Sequence, residues 1–505
     1  MECTQQQTKV TVVKTLYENF LEEKCESDLL IPDYYPAAEK IILCHAVPVI
    51  TNKEIQGDRL ILEGNCRFTV IYEGEETGGI KAMSETAAFQ ESLPLKETGT
   101  HPWIQTMVRI AGTSCRLLNS RKISARATVS IAIKIRDQQS ENTIEALDCG
   151  DAEALFQPIS VYTVLDHTAD TVKVQGELEV HADILDVLKT DGRVCLKDVK
   201  ALPGKVMIKG VLDLFMLFTP EDDPQKVMST STAIPFTQVL ELGGTEEGIP
   251  EAIASIQNIR TDVEADENGK NRLISVVATV LTEGELYDVC EHRLLKDSYS
   301  NHYPIELKKQ QLYTESIAEN GLIEEILRHE IPLNEEGAEV VQILANPLIQ
   351  KITGQNNTLN MEGILDVSLF VCEGGNYRGI DKSLTFTVSK SLKSLEGRMR
   401  CEVQPCVLGV DWSVEGETVV LKTEINCSFT VFLKETHDVI SEVALDIDHP
   451  LEEKQKAPLI VYYGEKGERL WDIARKYATS VDRIKLVNEL HRDVLEDKKL
   501  LLISR

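Results

Sequence analysis

One pattern, written three times along the chain, limits the possible folds more than any other feature. Residues 59–72, 205–218 and 358–371 each read apolar, any, apolar, charged, glycine, and then a strand-like apolar run. The glycines, Gly64, Gly210 and Gly363, lie 146 and 153 residues apart. A phenylalanine follows each of them, Phe89, Phe236 and Phe386, at offsets of 25, 26 and 23 residues. Upstream stand Ile31-Pro32, Ile184-Leu185 and Ile331-Pro332, spaced 153 and 147 residues apart. A period near 150 residues is a whole domain, far longer than a solenoid unit. The 505 residues therefore hold three copies and a remainder of about 50.

Within each copy the hydrophobic period is two. Val129, Ile131 and Ile133 alternate with Ser130, Ala132 and Lys134. Leu421, Thr423, Ile425 and Cys427 alternate with Lys422, Glu424, Asn426 and Ser428. Such runs bury one face and wet the other, as antiparallel strands do. Glu73-Gly74, Asn268-Gly269 and Glu415-Gly416 supply turn chemistry between them. A glycine inside a strand run predicts a bulge or a close backbone approach at Gly64, Gly210 and Gly363. Residues 15–24 and 316–327 carry a helix-like pattern, but their counterpart in the second copy alternates as a strand. Copies of one unit share one fold, so all three are read as strand. The expected fold is mainly β: three tandem antiparallel β-sandwich-like repeats at 1–155, 156–303 and 304–450, plus a small terminal module.

That module follows residues 451–458, a polar, proline-terminated stretch that reads as a linker. Residues 460–464 suit a strand. Leu470, Ile473, Ala474 and Tyr477 fall at i, i+3, i+4 and i+7, one helical face. Thr479 or Ser480 can cap a second helix, on which Ile484, Val487 and Leu490 line up. A last strand at 500–503 gives a βααβ order for 459–505. This stretch has ten Lys/Arg against eight Asp/Glu, although the whole chain carries −29.

The charge disfavours nucleic acid and anionic membrane surfaces as partners. No run of about 18 apolar residues exists to cross a membrane, and the N-terminus lacks the pattern of a secretory signal. Twelve cysteines are scattered without a CxxC pair, which fits a reducing compartment. Cys401 and Cys406 are the pair considered for cross-linking under oxidation. Trp103 and Trp412 read as core residues. There is no phosphate-binding glycine loop, no His-Glu-x-x-His and no Gly-x-Ser-x-Gly, and the ten histidines are dispersed singly. No catalytic residue, metal set or cofactor is assigned, and the chain reads as a non-enzymatic binding and assembly protein.

Residues 467–477, with Thr479-Ser480-Val481 and Asn488-Glu489-Leu490, resemble a LysM domain. LysM modules bind polymers of N-acetylglucosamine, such as peptidoglycan, through two loops. The resemblance places those loops at 464–470 and 490–499. It implies a partner- or glycan-binding role for Gly467, Glu468, Arg469, Leu470, Asn488 and Leu490. Where the family has Gly-Asp-Thr this chain has Gly467-Glu468-Arg469, and 496–499 replaces the usual Pro-Gly turn. Glycan recognition and protein contact therefore both stand as readings. Three SPOCS-type repeats followed by LysM resemble the SipL group of spore-forming Firmicutes. That resemblance implies a scaffold of endospore coat assembly in the mother-cell cytoplasm, at the forespore surface. Its implied partners are the morphogenetic ATPase of the coat basement layer and other coat proteins, with peptidoglycan as the alternative ligand. Nucleic acid and membrane insertion are not among them.

Overall fold

The computed structural model describes residues 4–75, 79–150, 152–243, 248–333, 337–393, 397–451 and 459–504. The first repeat comprises β1 (Thr4–Leu30), β2 (Ala38–Gln56), β3 (Arg59–Gly74), β4 (Ile80–Pro94), β5 (Trp103–Asn119) and β6 (Lys122–Asp148). The second comprises β7 (Ala152–Glu179), β8 (Ile184–Leu202), β9 (Lys205–Pro220), β10 (Met228–Glu241), β11 (Ile249–Ala265) and β12 (Asn271–Ser300). The third comprises β13 (Ile305–Pro332), β14 (Glu339–Gln355), β15 (Thr358–Glu373), β16 (Asn376–Ser391), β17 (Arg398–Glu415) and β18 (Thr418–Leu445). The terminal module has β19 (Leu459–Gly464), α1 (Leu470–Tyr477), α2 (Val481–Asn488) and β20 (Lys499–Ser504). The segments with helix-like pattern at 15–24 and 316–327 lie within β1 and β13, as strand.

Each repeat is two antiparallel three-stranded sheets, ordered β1-β6-β5 and β2-β3-β4 in the first and equivalently in the others. The alternating apolar residues of the two central strands face each other. Leu60, Leu62, Cys66, Phe68 and Val70 of β3 meet Ile123, Ala125, Ala127, Val129 and Ile131 of β6. Burying such side chains contributes roughly 1.5–3 kcal/mol each. The repeated glycine and phenylalanine are cross-strand partners: Gly64 opposes Phe89, Gly210 opposes Phe236, and Gly363 opposes Phe386. A Cβ on Gly210 would lie 2.5 Å from the Phe236 ring, and one on Gly64 would lie 2.2 Å from Phe89. The opposite neighbour strand bulges at the same level, between Ile50 and Asn52, Leu196 and Asp198, and Ile349 and Lys351. Bulge and close approach thus occur together.

The repeats do not stand apart as beads. Seven residues past each glycine, Ile71, Leu217 and Phe370 point away from their own sandwich and gather in one shared cluster. Beyond the sandwiches, the first and last strands of each repeat continue as two-stranded arms. Val10, Ile159, Val161, Leu294, Leu312 and Val439 join all three arms. Ile144, Leu295 and Ile440, at equivalent positions of β6, β12 and β18, do so again. Polar links close the ring. Lys53 pairs with Glu283 between repeats one and two, the Tyr377 hydroxyl accepts from the Val227 N–H between two and three, and Lys134 pairs with Glu402 between three and one.

Three expectations change. Strand β7 begins at Ala152, paired with Ser300, so the first boundary precedes 155. Cys406 is bonded to Cys195 of the second repeat, and Cys401 is a free thiol. Residues 401 and 406 are an odd number apart on β17, so their side chains leave opposite faces and cannot meet. Cys149 is also disulfide-bonded. Trp412 is exposed near the end of edge strand β17, while Trp103 is buried. Of the expected linker, 452–458 lies outside the described residues.

Two outcomes are expected. Gly210→Ala destabilises by about 1–3 kcal/mol through overpacking, and Phe236→Leu in the same chain recovers part of it; urea unfolding measures both. The Cys195–Cys406 bond closes a loop of 211 residues. The loss of stability caused by reductant should be smaller in Cys406→Ser than in wild type by about 2–4 kcal/mol, the Cys149 bond being reduced in both, as read by thermal unfolding with and without reductant.

Candidate functional site

The terminal module folds around Leu470, Ile473, Ala474, Ile484, Leu495, Leu501 and Ile503. Strands β19 and β20 pair antiparallel, from Leu459 opposite Ser504 to Gly464 opposite Lys499. Ser480 caps α2, its hydroxyl accepting from the Arg483 N–H at 3.2 Å. Thr479, the other candidate, instead donates its hydroxyl to the Ser504 carbonyl at 2.8 Å. Helix α1 starts at Arg469 with no side-chain cap, as the missing threonine implies.

The two loops picked out from the sequence lie side by side. Their backbones are zipped by Gly467 N–H to Leu495 C=O, Leu495 N–H to Glu468 C=O and Leu470 N–H to Asp493 C=O, each 2.8–2.9 Å. Gly467 takes the left-handed turn at φ 86° that a Cβ would strain. The Glu468 carboxylate accepts from the Tyr462 hydroxyl and the Glu465 N–H, and the first of these bonds lowers its pKa. Arg469 is exposed. Leu470 is fully buried in the core. Asn488 clamps α2 to β20, donating to the Ile484 and Leu502 carbonyls and accepting from the Leu502 N–H. Leu490 is half-buried and its N–H closes α2 on Lys485. Gly467 and Arg469 thus present the loop surface, while Glu468, Leu470 and Asn488 hold its shape.

Sequence reasoning missed what α1 rests on. Trp471 packs edge-on against Tyr299 of the second repeat's arm, with ring centroids 4.9 Å apart. The Trp471 indole N–H donates to Asp297 at 3.0 Å, and Arg475 pairs with the same carboxylate at 2.7 Å. The Tyr299 hydroxyl donates to the Thr479 carbonyl at 2.7 Å. Nothing in the pattern of β12 marks these two residues as a seat.

A second polar centre lies where the repeats converge, beside a cavity of about 1020 Å³ lined by all three. Strand register makes Lys134, Glu285 and Thr430 equivalent, and likewise Arg136, Tyr287 and Phe432. Arg136, 1% exposed, donates to both oxygens of Glu285, which also receives the Trp103 indole N–H. Glu251 accepts from the Tyr287 and Thr430 hydroxyls. Glu402 takes Lys134 and Arg400. Burial and the nearby Glu402 raise the Glu251 pKa. Burial alone would raise Glu402 too, but Arg400, Lys134 and Arg136 outweigh it and hold that carboxyl at about 2. Clustered carboxylates with shifted pKa can mark acid–base catalysis. Here each bridges two repeats: Glu285 to Arg136, Glu402 to Lys134, and Glu251 to Thr430. The groups are engaged in assembly of the ring.

Comparison with known families places the SipL, SPOCS domain at residues 37–118 and 183–265 and the LysM domain at 465–497. The two SPOCS matches begin and end with β2–β5 and β8–β11. The third repeat lies outside them and is recognised by its register. Both are non-catalytic domain families. Together these matches support a sporulation protein associated with the coat, with potential for peptidoglycan binding. No curated protein and no solved structure matches the chain. No helix among the described residues is long and apolar enough to cross a membrane.

The buried charges make a test. Glu285→Gln leaves Arg136 without its counter-ion and should cost about 3–5 kcal/mol. Glu251→Gln should leave stability at pH 8 unchanged or higher, because the fold already disfavours that charge. Glu402 titrates at about 2 when folded against an ordinary 4.5. Its contribution is therefore complete above pH 4.5 and lost as pH falls towards 2. Urea unfolding across that window should show a slope in wild type that Glu402→Gln reduces.

Proposed function

Because the chain is of the SipL type in its domain content, we propose that it is a non-catalytic scaffold of endospore coat assembly. It works in the mother-cell cytoplasm at the forespore surface, and docks on the basement-layer morphogenetic ATPase through its LysM region. The observation that carries this reading is the seating of the LysM module. Its α1 side is fixed to the second repeat by Asp297 and Tyr299, and its loops and sheet project outward. A rigid body presenting one small module is a shape suited to bridging proteins. The module's charge also differs in sign from the acidic body, so an acidic partner is drawn to the tip alone.

A second reading keeps the glycan. The LysM match itself favours it, and the zipped loops provide its surface through Gly467 and Arg469. Other coat proteins are further partners of the scaffold in either case.

Both readings are separated by measuring the intact chain against two targets. Surface-immobilised basement-layer ATPase should capture it, and Asp297→Ala, which unseats the module, should weaken that capture severalfold. Purified peptidoglycan should sediment little of it. No capture by the ATPase together with strong co-sedimentation would transfer the function to the glycan.

A further inference from the structure

One edge of the first sandwich holds a pair of thiols. Cys44 lies on β2, opposite Val70 of β3, and Cys115 lies on β5, opposite Ala125 of β6. Strands β2 and β5 belong to different sheets and come close together along this edge. Both cysteines are half-buried against the core of the repeat, and both are free thiols. They hydrogen-bond to each other. Strand register shows that the meeting is built into the repeat. The equivalents of Cys44 and Cys115 in the second copy are Thr190, opposite Met216, and Thr261, opposite Val276. Their hydroxyl oxygens are 3.4 Å apart. In the third copy the same positions hold Ile343 and Trp412. The fold thus brings two side chains together across the sheets, and in the first repeat both are thiols.

A buried cysteine ordinarily serves as a small hydrophobe. That account suits Cys25 and Cys66, a second pair in contact within the same repeat. They are 3% and 0% exposed, and their counterparts are apolar: Val174 and Leu212 in the second copy, Leu327 and Leu365 in the third. It does not suit Cys44 and Cys115, which stand half-buried where the second copy keeps two hydroxyls. An edge where two backbones converge is where the Cβ separation of about 3.5–4.5 Å required by a disulfide can be met. The hydrogen bond also divides the roles. The Cys44 thiol donates to the Cys115 sulfur, which lowers the Cys115 pKa and raises that of Cys44, and the Arg116 N–H adds to the effect on Cys115. Cys115 is therefore the attacking thiolate and Cys44 the resolving thiol.

We propose that Cys44 and Cys115 are a cross-linking site, a dithiol that a low-molecular-weight disulfide converts to a bond tying the two sheets of the first repeat together. The Cys115 thiolate attacks one sulfur of the reagent, forms a mixed disulfide and expels one thiolate. Cys44 then attacks the Cys115 sulfur, releases its proton to solvent and expels the second thiolate. One S–S bond breaks in the reagent and one forms in the protein. The two protein thiols lose two electrons, and the reagent gains them as two thiols. The new bond joins residues 71 positions apart. It acts within one repeat, whereas Cys195–Cys406 joins two.

The test incubates the full chain with oxidised glutathione and maps its cysteines by mass spectrometry. Cys44 and Cys115 should be recovered as one linked pair of peptides, with glutathione on neither. Cys44→Ser should stop the reaction at glutathione on Cys115. Cys115→Ser should slow the modification of Cys44 by about tenfold. Cys44→Thr with Cys115→Thr carries the second repeat's pair into the first, so that chain should fold with an unchanged thermal midpoint. After oxidant the wild-type midpoint should stand above that of the equally treated double variant. Glutathione retained on wild-type Cys115, no reaction at either thiol, or a bond from either to another cysteine overturns the proposal. Linkage of Cys25 to Cys66 at the same rate also overturns it, because the reaction would then report opening of the whole sandwich.

Discussion

One buried guanidinium organises the body of this protein. Arg136 sits at the convergence of three repeats, against Glu285 of the second and over the Trp103 ring of its own. An ion removed from water this completely is tolerated only if paired. The pair forms only when repeats one and two are docked, so the cost of burying Arg136 is offset by assembly itself. Glu402 with Lys134, and Glu251 with Thr430, extend the same logic to the other two junctions.

The repeats are copies, but they differ at this level of the sheets. Equivalent positions hold Lys134, Glu285 and Thr430, and one step further Arg136, Tyr287 and Phe432. Three identical charges meeting around one axis would repel in a low-dielectric centre. Divergence makes each junction unique, which fixes the order of the repeats around the ring. The apolar contacts of Ile71, Leu217 and Phe370 supply affinity without that discrimination. The Cys195–Cys406 bond then ties together the second and third repeats, with Cys406 lining the same cavity.

The C-terminal module follows from this body. Asp297 and Tyr299 lie at the end of the second repeat's arm, a position that exists because β7 and β12 continue past their sandwich. The arm holds the module through Asp297 and Tyr299. Seating through α1 then determines which LysM surfaces remain available: the zipped loops and the apolar sheet face.

Much of the fold was legible in the chain. Period-two alternation marks the strands, and the spacing of Gly64, Gly210 and Gly363 marks the repeats, because these are local consequences of a pleated backbone. The pairing of Gly64 with Phe89 was half legible: the repeat of both residues was visible, their contact was not. Val70-Ile71-Tyr72, Met216-Leu217-Phe218 and Leu369-Phe370-Val371 break the alternation, a signal that both faces of these strands are covered. Of the site, the helix face of α1 and the neighbouring loops could be read, since spacing along a helix is local. The use of Leu470 and Asn488 within the fold, the partner of Cys406 and the seat of Trp471 could not. By itself the sequence determined strands, repeats and the βααβ tail, which depend on neighbours within a few residues. The tertiary structure alone decided which charges meet at the centre and which module faces stay exposed, because those contacts join residues more than a hundred positions apart whose chemistry matters only after the backbone has brought them together.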